Sequence, residues 1–93
     1  MASDILIVDD EADIRELISG ILEDEGHGTR LAKDSDETLA AVEERKPSLV
    51  ILDIWLQGSK LDGLELLDRI KRSHPDLAVV IISGHGKDRK SVV

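Results

Sequence analysis

With 93 residues, 41% of them hydrophobic, the chain has room for one domain with a modest core, and the lack of cysteine excludes disulfides and thiolate metal sites. A formal charge of −8 repels phosphate backbones and argues against direct nucleic-acid contact by this segment. No basic segment precedes an apolar stretch at the N-terminus and no apolar run approaches the ~18 residues of a membrane span, so a cytoplasmic protein without membrane contact is expected.

Residues 5–8 form a continuous apolar run of the kind that a strand buried on both faces requires. Ile14, Leu17, Ile18, Ile21 and Leu22 follow at three-and-four spacing and predict a helix, with Gly26 or Gly28 available to end it. Residues 29–32 are a weaker strand. Asp34 and Glu37 stand in capping-box spacing ahead of a second helix marked by Leu39, Ala40 and Val42. Residues 49–52 are the third strand. Leu64, Leu67 and Ile70 mark a third helix, closed by Ser73-His74-Pro75, and residues 77–82 are the fourth strand. Residues 84–93 are polar without a period, and no fifth strand is expected there. With Trp55 as the only aromatic residue, the core must be aliphatic.

Strand and helix alternate throughout. That predicts an α/β fold in which parallel strands are joined by right-handed crossovers, with helices on both faces.

The acidic residues sit at informative places. Asp9 and Asp10 directly follow the first strand, Asp53 the third, and Ser83 the fourth. In an open parallel sheet the carboxyl ends of the strands share one edge, and ligands bind there. Three carboxylates converging in one crevice repel one another unless a cation joins them. Their hard oxygens suit Mg2+ or Mn2+ and argue against zinc or copper. Beside such an ion Asp53 can act as a nucleophile toward phosphorus, giving an aspartyl phosphate. The Ser83 hydroxyl can donate to a phosphoryl oxygen, and Gly84 leaves room for the donor. Each residue alone has a plainer reading: Asp9 or Asp10 as a helix cap, Asp53 as a turn residue, Ser83-Gly84 as a generic turn. Three separate strands delivering these groups to one edge favours the functional reading. His27 and His74 are expected in turns and solvated, and His85 lacks a second ligand at metal spacing.

The stretches Ile5-Leu6-Ile7-Val8-Asp9-Asp10-Glu11, Leu49-Val50-Ile51-Leu52-Asp53-Ile54, Asp62-Gly63-Leu64-Glu65 and Ile81-Ile82-Ser83-Gly84-His85-Gly86 resemble the successive motifs of bacterial two-component response-regulator receiver domains. Residues 53–59 and 83–86 look most like the nitrogen-regulation branch. The resemblance spans residues 4–86 and implies a flavodoxin-like (receiver) three-layer fold, truncated to four parallel strands in order 2-1-3-4 and three helices. It implies a transcriptional response regulator in which a sensor histidine kinase donates a phosphoryl group to Asp53. Asp10 would then be a direct Mg2+ ligand and Asp9 would help through water. The Trp55 backbone carbonyl would be the third protein ligand, and Ser83 the switch hydroxyl. The Trp55 side chain is expected to be ordinary surface.

Family members also carry a fifth strand ending in a Lys that pairs with the phosphoryl group, then a final helix. Neither is expected here: Lys87 and Lys90 lie in a tail, 87–93, that resembles nothing in the family and need not be native. The receiver would be residues 1–86, its switch impaired by truncation. A homodimer or higher oligomer is expected, through an uncovered fourth strand or the sheet face the final helix would cover. Two other classes share the strand pattern. A metal-dependent phosphatase would place a second acid where Trp55 stands, and a nucleotide- or flavin-binding module needs a glycine- or hydroxyl-rich loop where Asp9-Asp10-Glu11-Ala12-Asp13 stands. A structural dimerisation piece with a silent site would bind no Mg2+.

Overall fold

The computed structural model describes residues 3–83 and 91–92. The apolar runs become strands and the periodic stretches helices, in the order β1 (Asp4–Val8), α1 (Ala12–Asp24), β2 (Gly28–Ala32), α2 (Ser35–Glu44), β3 (Leu49–Asp53), α3 (Gly63–Ser73), β4 (Ala78–Ser83) and β5 (Ser91–Val92). The sheet order is β2-β1-β3-β4-β5, and β1 to β4 are parallel as expected. Among the described residues no helix is long and apolar enough to cross a membrane.

Register divides the side chains between two faces. Leu6 aligns with Val50 and Val79 across the sheet, and Val8 with Leu52 and Ile81. Leu6, Val8, Val50 and Leu52 join Ala32, Val42, Leu56, Leu66, Ile70 and Leu77 in the main core, beneath α2 and α3. Burying each large aliphatic side chain contributes about 1.5–3 kcal/mol, which offsets the ordering of the chain around it. Ile5 and Ile7 alternate to the opposite face, where α1 packs.

α1 leaves that second face thinly covered. None of its residues is fully buried, and Leu17 and Ile21 are 60% and 56% exposed. The apolar stripe is wider than the surface it packs on, so Ile14, Ile18 and Leu22 are half-buried while one flank faces solvent.

Both other helices depart from the expected faces. α3 buries Gly63, Leu66 and Ile70, while Leu64 is 57% exposed and Leu67 half-buried. Its start is a full capping box, in which Asp62 Oδ1 accepts from the Glu65 N–H (2.8 Å) and Glu65 Oε1 from the Asp62 N–H (3.0 Å). α2 buries Ser35, Thr38 and Val42, with Ala40 exposed and Leu39 half-buried. Asp34 caps it by accepting from the Glu37 N–H (2.9 Å), but the Glu37 carboxylate reaches one residue further back, to the Lys33 N–H (2.8 Å). α1 ends at Asp24, and Gly26 takes the left-handed turn (φ 94°) beyond it.

The expectation that no fifth strand follows is corrected. Ser91 and Val92 pair with Ser83 and Ile82, antiparallel. The outer edge of β4 offers open backbone groups, and the end of the chain itself takes two of its registers. The pairing is antiparallel because too few residues separate Ser83 from Ser91 for the crossover of about a dozen that a parallel pair needs. The fourth-strand edge is therefore covered at its carboxyl end.

Candidate metal and phosphoryl site

The strand ladders run one step past the strand ends and so fix where the acids stand. The Asp9 N–H donates to the Ala32 carbonyl (3.1 Å), and the Ile54 N–H, just after Asp53, donates to the Ile82 carbonyl (3.1 Å). Asp9, Asp10 and Asp53 each present a carboxylate oxygen, and the three oxygens lie within 4.8 Å of one another. Asp9 and Asp53 are 0% exposed, and Asp10 is half-buried.

Local hydrogen bonds aim these groups. Asp9 Oδ1 accepts from the Glu11 N–H (2.8 Å) in an Asx-type turn, and Arg15 Nη1 donates to the Asp9 carbonyl (2.7 Å) from the first turn of α1. Asp53 Oδ1 accepts from the Trp55 N–H (3.0 Å). The Glu11 and Trp55 N–H groups orient the Asp9 and Asp53 carboxylates.

The electrostatic cost falls on Asp10. Burial pushes its carboxyl above the usual carboxylate range; a hydrogen bond from its own backbone opposes this, while Asp53 and the charges of Asp9 and Asp53 add to the rise. Two like charges about 4 Å apart repel by about 4 kcal/mol at an effective dielectric near 20. Asp10 Oδ1 is buried with no hydrogen-bond partner among the described residues. A buried acceptor beside two further carboxylates fits a hard divalent cation, since only oxygen ligands converge here.

The expected site residues fall as follows. Asp9, Asp10 and Asp53 are brought together. The Trp55 backbone lies against Asp53, and its side chain is 57% exposed, as expected of surface. The Ser83 backbone ends β4 immediately after Ile82, the register partner of Asp53. The Ser83 hydroxyl, and Gly84, His85, Gly86, Lys87 and Lys90, lie outside what is described. His74 is a correction: it caps α3, its N–H donating to the Ile70 carbonyl (2.8 Å), and its Nδ1 is shielded from solvent. Three contributors were missed. Arg15 is one polar residue among several on an amphipathic helix, Ser35 finds its partners far along the chain, and Gly63 stands inside the stretch Asp62-Gly63-Leu64-Glu65. A glycine just inside a helix start, where glycine is costly, was the one local signal.

A family model for the response regulator receiver domain matches residues 5–93. The chain is 63% identical over 92 residues to the nitrogen assimilation regulatory protein NtrX of Azorhizobium caulinodans, a match covering 99% of this chain and 20% of that protein. It is 36% identical to sporulation initiation phosphotransferase F of Bacillus subtilis, over 94% of this chain and 68% of that one. The crystal structure of the receiver domain of NtrX from Brucella abortus superposes with a TM-score of 0.86 at 69% identity, over 89% of this chain and 69% of the other. The chain thus spans one fifth of the length of the NtrX relative.

Proposed function

Because the chain belongs to the response-regulator receiver family, whose members are phosphorylated on an aspartate in two-component signalling, we propose that Asp53 is the acceptor here. The observation that supports this is the convergence of the Asp9, Asp10 and Asp53 carboxylates within 4.8 Å at the carboxyl edge of the sheet. Asp10 and Asp53 would hold Mg2+ directly with the Trp55 carbonyl, and Asp9 through water; Mn2+ has the same preference for hard oxygen. When bound, the cation neutralises charge on the carboxylates and on the phosphoryl oxygens.

Receiver domains of response regulators interact with sensor histidine kinases, and such a kinase is the proposed donor. A carboxylate oxygen of Asp53 forms the new O–P bond as the P–N bond of the donor phosphohistidine breaks, and the departing imidazole nitrogen takes up a proton from solvent. The Trp55 N–H holds the Asp53 carboxylate in place during the transfer. Ser83, at the end of the adjacent strand, serves as the switch hydroxyl toward a phosphoryl oxygen. In this reading the matched residues 5–93 belong to the signalling module of a cytoplasmic transcriptional regulator. The test is to incubate the protein with Mg2+ and acetyl phosphate and to locate the added mass by peptide mapping. One phosphoryl group on Asp53, abolished by Asp53→Asn, is expected; phosphate on Asp9 or Ser83 would overturn the assignment.

A further inference from the structure

The connection from β3 to α3, residues 54–62, begins at the proposed acceptor and carries the Trp55 carbonyl. A loop of this length at the edge of a site is ordinarily among the least stable parts of a domain. Here it is held at three places. At its start the Trp55 N–H is bound to Asp53 Oδ1. At its end the capping box fixes Asp62, and Gly63 packs so closely that a Cβ there would stand 2.6 Å from the Asp53 carbonyl oxygen and 2.5 Å from that of Ile54.

The third place lies on a different element. Ser35, the first residue of α2, is 1% exposed. Its N–H, which has no acceptor within its own helix, donates to Ser59 Oγ (2.9 Å). Its hydroxyl accepts from the Leu61 N–H (3.3 Å). Two hydrogen bonds of opposite sense therefore join one buried serine to two loop residues, across 24 and 26 positions of sequence. Leu56, in the same loop, is buried in the main core.

We propose that Ser35 and Ser59 form a latch between α2 and the β3–α3 loop, and that both are positioning residues which set the Trp55 backbone against Asp53. The inference rests on the reading above, in which Asp53 is the acceptor and the Trp55 carbonyl a ligand. Freeing the loop would let the Trp55 carbonyl wander, so the cation would have to order the loop on binding and would bind more weakly.

Trp55 is the only tryptophan, so its fluorescence reports this loop alone. Ser59→Ala, Ser35→Ala and Ser59→Thr are compared with wild type. Three readouts are taken: Trp55 anisotropy in metal-free protein, the Mg2+ titration midpoint, and thermal unfolding. The alanine variants should lower metal-free anisotropy and raise the Mg2+ midpoint roughly three- to tenfold, the effect of losing one hydrogen bond. Ser59→Thr, which keeps the hydroxyl, should behave as wild type. Alanine variants that lose thermal stability while keeping wild-type anisotropy and midpoint would overturn the latch. The anisotropy also separates the two ideas: a wild type that ignores Mg2+ would sink the site assignment, while mobile Trp55 in the alanine variants would still uphold the latch.

Discussion

The Trp55 N–H donates to Asp53 Oδ1 across 3.0 Å, so the residue proposed to carry the metal-binding carbonyl also orients the proposed acceptor. Changes in this loop should therefore affect metal binding and phosphoryl acceptance together.

Asp10→Asn should remove the Mg2+ response of Trp55 fluorescence, because it deletes one of three converging carboxylates. It should also stabilise the metal-free protein, by relieving repulsion among these acids. Equal Mg2+ responses in wild type and variant would count against the site.

The same carboxylate makes metal-free stability depend on pH. Its folded-state pKa is raised above the ordinary aspartate value of 3.8, so the native state binds more protons than the unfolded chain above that value. Metal-free protein should lose stability as pH rises from 3.8 through the raised pKa, and saturating Mg2+ should flatten that loss. Denaturant midpoints across this range, with and without Mg2+, provide the check; the same slope in Asp10→Asn would assign it to another group.

Gly63→Ala should be costly although the change is one methyl. The added Cβ would meet backbone atoms of Asp53 and Ile54 rather than a flexible side-chain end. Either α3 or the acceptor must shift, at about 1–3 kcal/mol. Urea unfolding should show that loss, and phosphorylation from acetyl phosphate should slow with it. An unchanged midpoint would mean the helix start yields freely.

Arg30 fastens the far end of the molecule. Its guanidinium binds Asp4 Oδ1 and Oδ2 (3.1 and 2.9 Å) and the carbonyls of Ala41 and Arg45 (2.8 and 2.7 Å) near the C-terminus of α2. Arg30→Ala should cost about 1–3 kcal/mol, chiefly because these acceptors lose a charged donor. Burial raises the Asp4 carboxyl, but Arg30 and Arg45 together outweigh it and hold the pKa below 3.8. This contribution is thus present above pH 3.8 and lost as pH falls through the lowered value. Stability curves that remain parallel for wild type and Arg30→Ala through that acid range would contradict it.

Self-association is expected through the face carrying α1, since β5 now covers part of the fourth-strand edge. Leu17 and Ile21 are exposed there at one-turn spacing, and a symmetric pair of such faces would bury both copies. Light scattering over a wide concentration range should show a dimer, weakened by Leu17→Glu or Ile21→Glu. A monomer at high concentration would sink this expectation.

Much of the site was legible along the chain. Runs such as Ile5-Leu6-Ile7-Val8 and Leu49-Val50-Ile51-Leu52 announce buried strands locally, and the acids after them inherit the strand-end position from connectivity alone. The cap at Asp34 was legible for the same reason, since a cap spans only three residues. Other features depended on tertiary packing. Helical periodicity marks an apolar stripe but not how much of it the sheet covers, so Leu17, Ile21 and Leu64 stand in solvent while Gly63 is buried. The return of Ser91 and Val92 to β4 follows from an open strand edge that exists only once the sheet has formed. Ser35 could not be linked to Ser59 and Leu61 from the sequence, because a side-chain hydrogen bond spanning 24 or 26 residues leaves no periodic trace in it. Strand identity is settled by neighbours within a few residues, whereas the grip on the acceptor's loop is settled by which distant groups the fold brings to within 2.9 and 3.3 Å.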